Sequence, residues 1–340
     1  MEYVWFWTAI YHENCTKVFK SVTNCIRPRR LKVFSYGSLL TRFFTFKLHG
    51  ITACYWHMKI IECPRDAMQG LSDFIPTPLK LQYLQQLLTV GFDTIDFGSF
   101  VSPAAIPQMR DTAEVLAGLD LSNSRSKLLA IVANTRGAAE AARFEQITYL
   151  GFPLSISETF QRRNTNKTIA EALQALDEIQ DICKKSNKTL VTYISMGFGN
   201  PYGDPYDTAL VIQFVELLIA RGVSIISLAD TVGVADAASV RTLFQSLAKE
   251  YPAIEFGVHL HATSATVMTK IAAAFEAGCK RFDGAIRGYG GCPMANDDLV
   301  GNLPTETILS YLHTQGVVLD LDRHAFERSL KLADEIFPKH

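Results

Sequence analysis

The stretch Lys59-Ile60-Ile61-Glu62-Cys63-Pro64-Arg65-Asp66 reads as an apolar strand, Lys59–Cys63, that ends on a proline and then an adjacent cation and anion. The first strand of a doubly wound nucleotide-binding sheet more often runs into a Gly-rich phosphate loop, and Cys63-Pro64-Arg65-Asp66 is not glycine-rich. Working outward, short runs rich in Ile, Val, Leu and Phe recur near Thr94–Phe97, Leu128–Ala133, Phe152–Ser155, Thr189–Ile194, Ser224–Leu228, Glu255–His259 and Arg281–Ala285. Amphipathic segments of helical period, such as Ile169–Ser186 and Thr208–Arg221, separate them. Eight such units after Met58 predict an α/β fold, a TIM (β/α)8 barrel, with extra C-terminal helices near Pro304–Thr314 and Arg323–Ile336.

The 340 residues are 48% hydrophobic and 20% charged with a formal net charge of −1, which argues against disorder and against a strongly basic nucleic-acid binder. The neutrality is a cancellation. Residues 1–57 carry eight Lys/Arg against two acids, while the remaining 283 carry 25 against 32. All three tryptophans (Trp5, Trp7, Trp56) also fall in that first segment. Three readings of residues 1–57 compete: a mitochondrial transit peptide, a small accessory module, or an extension preceding a true start at Met58. The last is the working expectation, giving a poorly structured or non-native extension over 1–57 and a catalytic barrel over 58–340. The apolar run Tyr3–Tyr11 is too short to span a bilayer and lacks secretory-signal flanks, so no membrane association is expected. Seven scattered cysteines form no CxxC pair, which suits a reducing compartment, the cytoplasm or, with a transit peptide, the mitochondrial matrix.

In a barrel of this kind the active site lies at the carboxyl ends of the strands. Those exits carry Arg65-Asp66, Asp96, Tyr193, Asp230-Thr231, His259 with His261, and Arg287 ahead of Gly288-Tyr289-Gly290-Gly291-Cys292-Pro293. His259-Leu260-His261 places two imidazoles on one side of a strand. With Asp66 they offer two nitrogens and a carboxylate, a set suited to Mg²⁺, Mn²⁺, Co²⁺ or Fe²⁺, while no cysteine has zinc-ligand spacing. A less specific reading leaves one histidine buried and one exposed. Arg65 would place a fixed positive charge where an oxyanion or enolate develops, or else merely pair with Asp66 to hold the barrel mouth. The glycine-rich segment could close over the site and deliver Cys292 as an acid or base, or be a surface loop with an incidental cysteine.

Several segments resemble the 3-hydroxy-3-methylglutaryl-CoA lyases, within a wider group of metal-dependent lyase and synthase barrels. They are ECPRDAMQG (62–70), IDFGSFVSPAAIPQM (95–109), SISETFQRRN (155–164), LADTVGVAD (228–236), VHLHAT (258–263) and GYGGCPMANDDLVGNLPTE (288–306). The resemblance implies retro-Claisen cleavage of 3-hydroxy-3-methylglutaryl-CoA to acetoacetate and acetyl-CoA, aided by a divalent metal, Mg²⁺ or Mn²⁺. It implies Asp66, His259, His261 and Asn302 as metal ligands, Arg65 as enolate stabiliser, and Cys292 as catalytic loop cysteine. Asp96 falls where the family usually has Glu, and Tyr193 and Asp230 match residues that line the site. Protonation of the enolate would come from Cys292 or His259. An acyl-CoA partner, a homodimer, and a place in leucine degradation or ketone-body formation are also implied, with Arg162, Arg163 and Lys167 available for CoA phosphates.

The chain departs from that pattern at Ala67-Met68, where Gly-Leu is usual, and at Ala262, where an Asp usually follows the HxH. The second change is expected to remove an acceptor for an imidazole and weaken metal binding. One extra residue between Cys292 and Asn302 makes Asn296 a rival to Asn302 as amide ligand. Three alternatives remain: action on another 3-hydroxy-3-alkylglutaryl-CoA, a Claisen-type synthase like those forming isopropylmalate or homocitrate, and a non-catalytic barrel. Such synthases generally carry further domains after the barrel, whereas about 20 residues follow Leu319.

Overall fold

A computed structural model describes residues 58–291 and 300–337; the segment 1–57, Cys292 and Asn296 lie outside the described residues. Eight strands follow one another as β1 (Lys59–Glu62), β2 (Thr94–Ser99), β3 (Lys127–Ile131), β4 (Ile147–Ser155), β5 (Thr189–Ser195), β6 (Ile225–Asp230), β7 (Glu255–Ala262) and β8 (Arg281–Gly284). Each pairs in parallel with the next, and β8 returns to β1 with Lys59 opposite Arg281 and Glu62 opposite Gly284. The expected eight-stranded barrel therefore closes. A ninth strand, β9 (Gly301–Asn302), lies antiparallel on β7 with Asn302 opposite His261.

Strand alternation divides the apolar residues into two layers. Leu129, Ile131, Tyr149, Val191, Tyr193 and Ile225 form a small cluster inside the barrel. Leu128, Ala130, Leu150, Phe152, Leu190 and Ile194 belong to the much larger core between strands and helices. At the amino-terminal end of the barrel, Glu255 accepts from Lys59 Nζ at 2.6 Å and from Arg281 Nη1 at 3.2 Å, so charges that alternation sends toward the axis are paired.

The helices show why their sequences start where they do. Thr168 caps Ile169–Lys185 in a reciprocal box with Glu171, and Asp207 and Asp236 cap the helices Thr208–Ala220 and Ala237–Glu250. After β8 come the expected closing helices, Thr305–Thr314 and Arg323–Ile336. The second is fixed by Phe326 against Phe92 and followed by Phe337 against Tyr83.

Two local differences from the sequence reading have physical causes. Strand β4 begins at Ile147, five residues before the expected Phe152, because its pairing with β3 starts at Leu128 opposite Ile147 and runs through Gly151, where a Cβ would stand 2.5 Å from Ile131. The Arg65-Asp66 pair sits not on a bare strand exit but in a short helix, Pro64–Gln69, whose proline occupies the first turn.

Candidate active site

His259 and His261 alternate on β7 with Val258 and Leu260, which face the outer core, so both imidazoles point into the barrel mouth. Each ring is held by its Nδ1. That of His261 lies 3.0 Å from the carbonyl oxygen of Thr231, and that of His259 lies 3.3 Å from Asp283 Oδ2. A carbonyl or carboxylate oxygen only accepts, so in both rings Nδ1 carries a proton. His261 Nε2 is buried without a hydrogen-bond partner among the described residues. Burial, reinforced by neighbouring His259, lowers the His261 pKa to about 4, which keeps the ring neutral. Burial also opposes protonation of His259, but its bond to Asp283 and the charge of Asp66 outweigh it and raise its pKa.

Asp66 reaches the histidines from the helix Pro64–Gln69, and one ligand atom from each of Asp66, His259 and His261 lies within 4.8 Å of the others. Despite burial, Arg65 and the two imidazoles hold the Asp66 carboxyl well below the usual carboxylate range. Its Oδ1 accepts from Arg65 Nη1 and from Gln69 Nε2, each at 2.8 Å. The pairing of β9 with β7 brings in Asn302, whose Nδ2 is 2.7 Å from Asp66 Oδ2. An ionised carboxylate, the neutral His261 ring with its Nε2 lone pair, the His259 ring that offers one when its Nε2 is unprotonated, and a neighbouring carboxamide form a donor set that fits a divalent cation. The orphaned His261 nitrogen is the strongest sign that the set is built for one.

Beside this cluster Asp96, inside β2, accepts from Arg65 Nε at 3.0 and 3.2 Å through its two oxygens, and also from Nη2. Burial raises the Asp96 pKa, and the guanidinium opposes that rise. Among the described residues Arg65 thus commits three N–H groups to Asp96 and Asp66, leaving two of its five for a ligand.

The glycines after β8 serve close packing in the described part of their loop. At Gly290, with φ of +85°, a Cβ would stand 2.6 Å from the Asp66 carbonyl oxygen and 2.9 Å from Asn302 Nδ2. Gly301 lies equally tight on Gly288. The GYGG and GNL motifs therefore bring two backbones together over the Asp66–Asn302 contact.

The remaining expected residues divide. Tyr193 is inside the barrel, edge-on to His259 with ring centroids 5.8 Å apart, and its hydroxyl has no partner among the described residues. Asp230 does not line the mouth. It continues the outward phase of Ile226 and Leu228, and it accepts from Lys270 Nζ at 2.6 Å and from the Ala235 amide. Lys270 also donates to the His261 carbonyl at 2.8 Å, so Asp230 supports β7 from behind. Arg162 pairs with Glu158, and Arg163 lies over the Tyr202 ring. The Gln of the PQM motif, Gln108, clamps the segment after the first helix by accepting from the Ile75 amide at 2.9 Å and donating to the Asp73 carbonyl at 2.8 Å.

Sequence reasoning missed Gln69 and Asp283. The signal for Asp283 was an acid one residue from Phe282 in an otherwise core-facing strand, in phase with the barrel interior. Ala262 has the outward phase of Val258 and Leu260, and both imidazoles find their acceptors elsewhere.

Comparison with known proteins agrees with this geometry. The HMGL-like family profile matches residues 58–332. A hydroxymethylglutaryl-CoA lyase of Bacillus subtilis is 35% identical over 257 residues, covering 75% of this chain and 84% of the relative. A cytoplasmic 3-hydroxy-3-methylglutaryl-CoA lyase of Rattus norvegicus is 32% identical, covering 79% and 78%. Among solved structures, an HMG-CoA lyase from Acinetobacter baumannii in complex with coenzyme A and 3-methylmalate superposes with a TM-score of 0.76 at 29% identity, over 82% of this chain and 90% of that one. With its profile match spanning the whole barrel, the chain belongs to the HMGL-like family.

Proposed function

We propose that this barrel is a divalent-metal-dependent carbon–carbon lyase that cleaves 3-hydroxy-3-methylglutaryl-CoA to acetoacetate and acetyl-CoA. The observation that carries the reading is the juxtaposition of Arg65, with two uncommitted N–H groups, and the Asp66–His259–His261–Asn302 donor set. Curated relatives bearing the lyase name add support.

Held by those four side chains, Mg²⁺ or Mn²⁺ would supply a Lewis acid that lowers the pKa of the substrate's tertiary hydroxyl. The protein supplies the rest. With Nδ1–H committed to Asp283, His259 Nε2 has one lone pair, which would go to the cation, so the hydroxyl proton passes to the Asp96 carboxylate, the acid–base candidate beside Arg65. As the hydroxyl oxygen becomes the ketone of acetoacetate, the electron pair of the breaking C–C bond passes to the thioester α-carbon, and the enolate oxygen so formed is the charge that Arg65 can meet. Asp96 fixes the guanidinium plane for that task. Cys292 then delivers a proton to the α-carbon, completing acetyl-CoA. No redox chemistry enters.

The test is to incubate the chelator-treated protein with 3-hydroxy-3-methylglutaryl-CoA, with and without added Mg²⁺ or Mn²⁺, and to measure acetoacetate. Metal-dependent product is expected, and its absence refutes the reading.

A further inference from the structure

A carboxylate inside a barrel is costly to bury unless something holds it there. Asp283 is 1% exposed, in the inward phase of β8. Its Oδ2 meets His259 Nδ1 at 3.3 Å and accepts from Ser227 Oγ at 3.5 Å, while Oδ1 has no partner among the described residues. Asp283 meets one ring nitrogen of the imidazole that also offers a ligand atom to the Asp66–His261 group. For His261 the corresponding acceptor is the Thr231 carbonyl, a backbone group no side-chain substitution can remove.

We infer that Asp283 is the positioning residue of this site: by accepting the His259 Nδ1 proton across the barrel it fixes the tautomer and plane that turn Nε2 toward the metal and substrate. The assignment deepens the lyase reading and rests on its placement of a cation at Asp66, His259 and His261. Carboxylate partners of metal-binding histidines raise the basicity of the ligand nitrogen, and losing one typically weakens metal affinity by roughly 10–100-fold.

Two measurements on the full chain test it. In the metal-free protein, ¹⁵N-edited NMR of the histidine side chains, assigned with His259→Ala, should show His259 protonated at Nδ1. Asp283→Asn should shift that pattern toward Nε2 protonation and leave His261 unchanged. Mn²⁺ titration followed by EPR should then give an affinity roughly 10–100-fold weaker in Asp283→Asn, at unchanged stoichiometry. A wild-type His259 protonated at Nε2 overturns the inference even if the variant fails to fold. So does an unaltered Mn²⁺ affinity in a folded variant, or a second Mn²⁺ ion lost with Asp283, which would make this residue a ligand. Failure of the wild type to bind any Mn²⁺ overturns the metal reading instead, and the tautomer measurement still decides the role of Asp283.

Discussion

Arg65 carries two kinds of load that a single substitution separates. Its Nε and Nη2 face Asp96, its Nη1 faces Asp66, and the two remaining N–H groups are the only ones it can offer an enolate. Arg65→Gln should lower kcat by roughly 10²–10³-fold, the usual cost of a lost oxyanion donor. It should also destabilise the fold by about 3–5 kcal/mol, because Asp96 is left buried without its cation. The double variant Arg65→Gln with Asp96→Asn should recover much of the stability and none of the activity, read by urea denaturation beside steady-state rates. Equal recovery of both would make the pair a closure of the barrel mouth and nothing more. The sequence made Arg65, Asp66 and the two histidines legible because chemistry-bearing types sit at a strand exit or at period two. It misled at Asp230, where one residue of strand phase turns a side chain from the mouth to Lys270. Asp283 escaped notice because an acid inside a strand acquires meaning only when the barrel closes it onto β7.

At the level of elements, the join between β1 and the segment after β8 depends on Glu62. It is fully buried and faces away from the barrel axis, accepting from the Ile286 amide at 2.8 Å and from Thr305 Oγ1 at 2.6 Å. Burial pushes its pKa up to about 8, the hydrogen bonds to Thr305 and Ile286 opposing the rise. The native protein therefore keeps a proton that the unfolded chain releases near the ordinary value of 4.5. Below that pH the group leaves stability unaffected. Between about 4.5 and 8 the unfolded state binds fewer protons than the native one, so stability falls as pH rises, by on the order of a few kcal/mol in all. Glu62→Gln keeps an acceptor for Ile286 and removes the ionisation. The variant should match the wild type in Tm near pH 5 and exceed it near pH 8; parallel curves across that range would show that Glu62 does not titrate with folding. The elements themselves were largely readable, since eight β-branched runs alternate with amphipathic segments. What the sequence concealed was how short glycine strands use their lack of side chains. Gly290 and Gly301 read as freedom to move and instead let one backbone lie against another beside Asp66.

The whole chain divides by composition at the point where the barrel begins. Strand β1 starts at Lys59, its amide donating to the Lys280 carbonyl at 2.7 Å, and the family profile matches from residue 58. All eight strands, the Asp66–His259–His261 donors and both closing helices fall after Met58. Closure of the sheet onto β8 leaves no open edge for a preceding segment to complete. We propose that residues 1–57, with their +6 charge and three tryptophans, are material the barrel does not require; residues 58–340 hold no tryptophan and carry 25 Lys/Arg against 32 acids. A protein beginning at Met58 should be soluble, unfold within a few degrees of the full chain and cleave 3-hydroxy-3-methylglutaryl-CoA with an unchanged kcat/KM. Intrinsic fluorescence provides a second check, because the truncated protein should show tyrosine emission alone. A truncated chain that precipitates, or that folds and loses its metal-dependent turnover, would assign residues 1–57 to the working enzyme and move the domain boundary to the amino terminus.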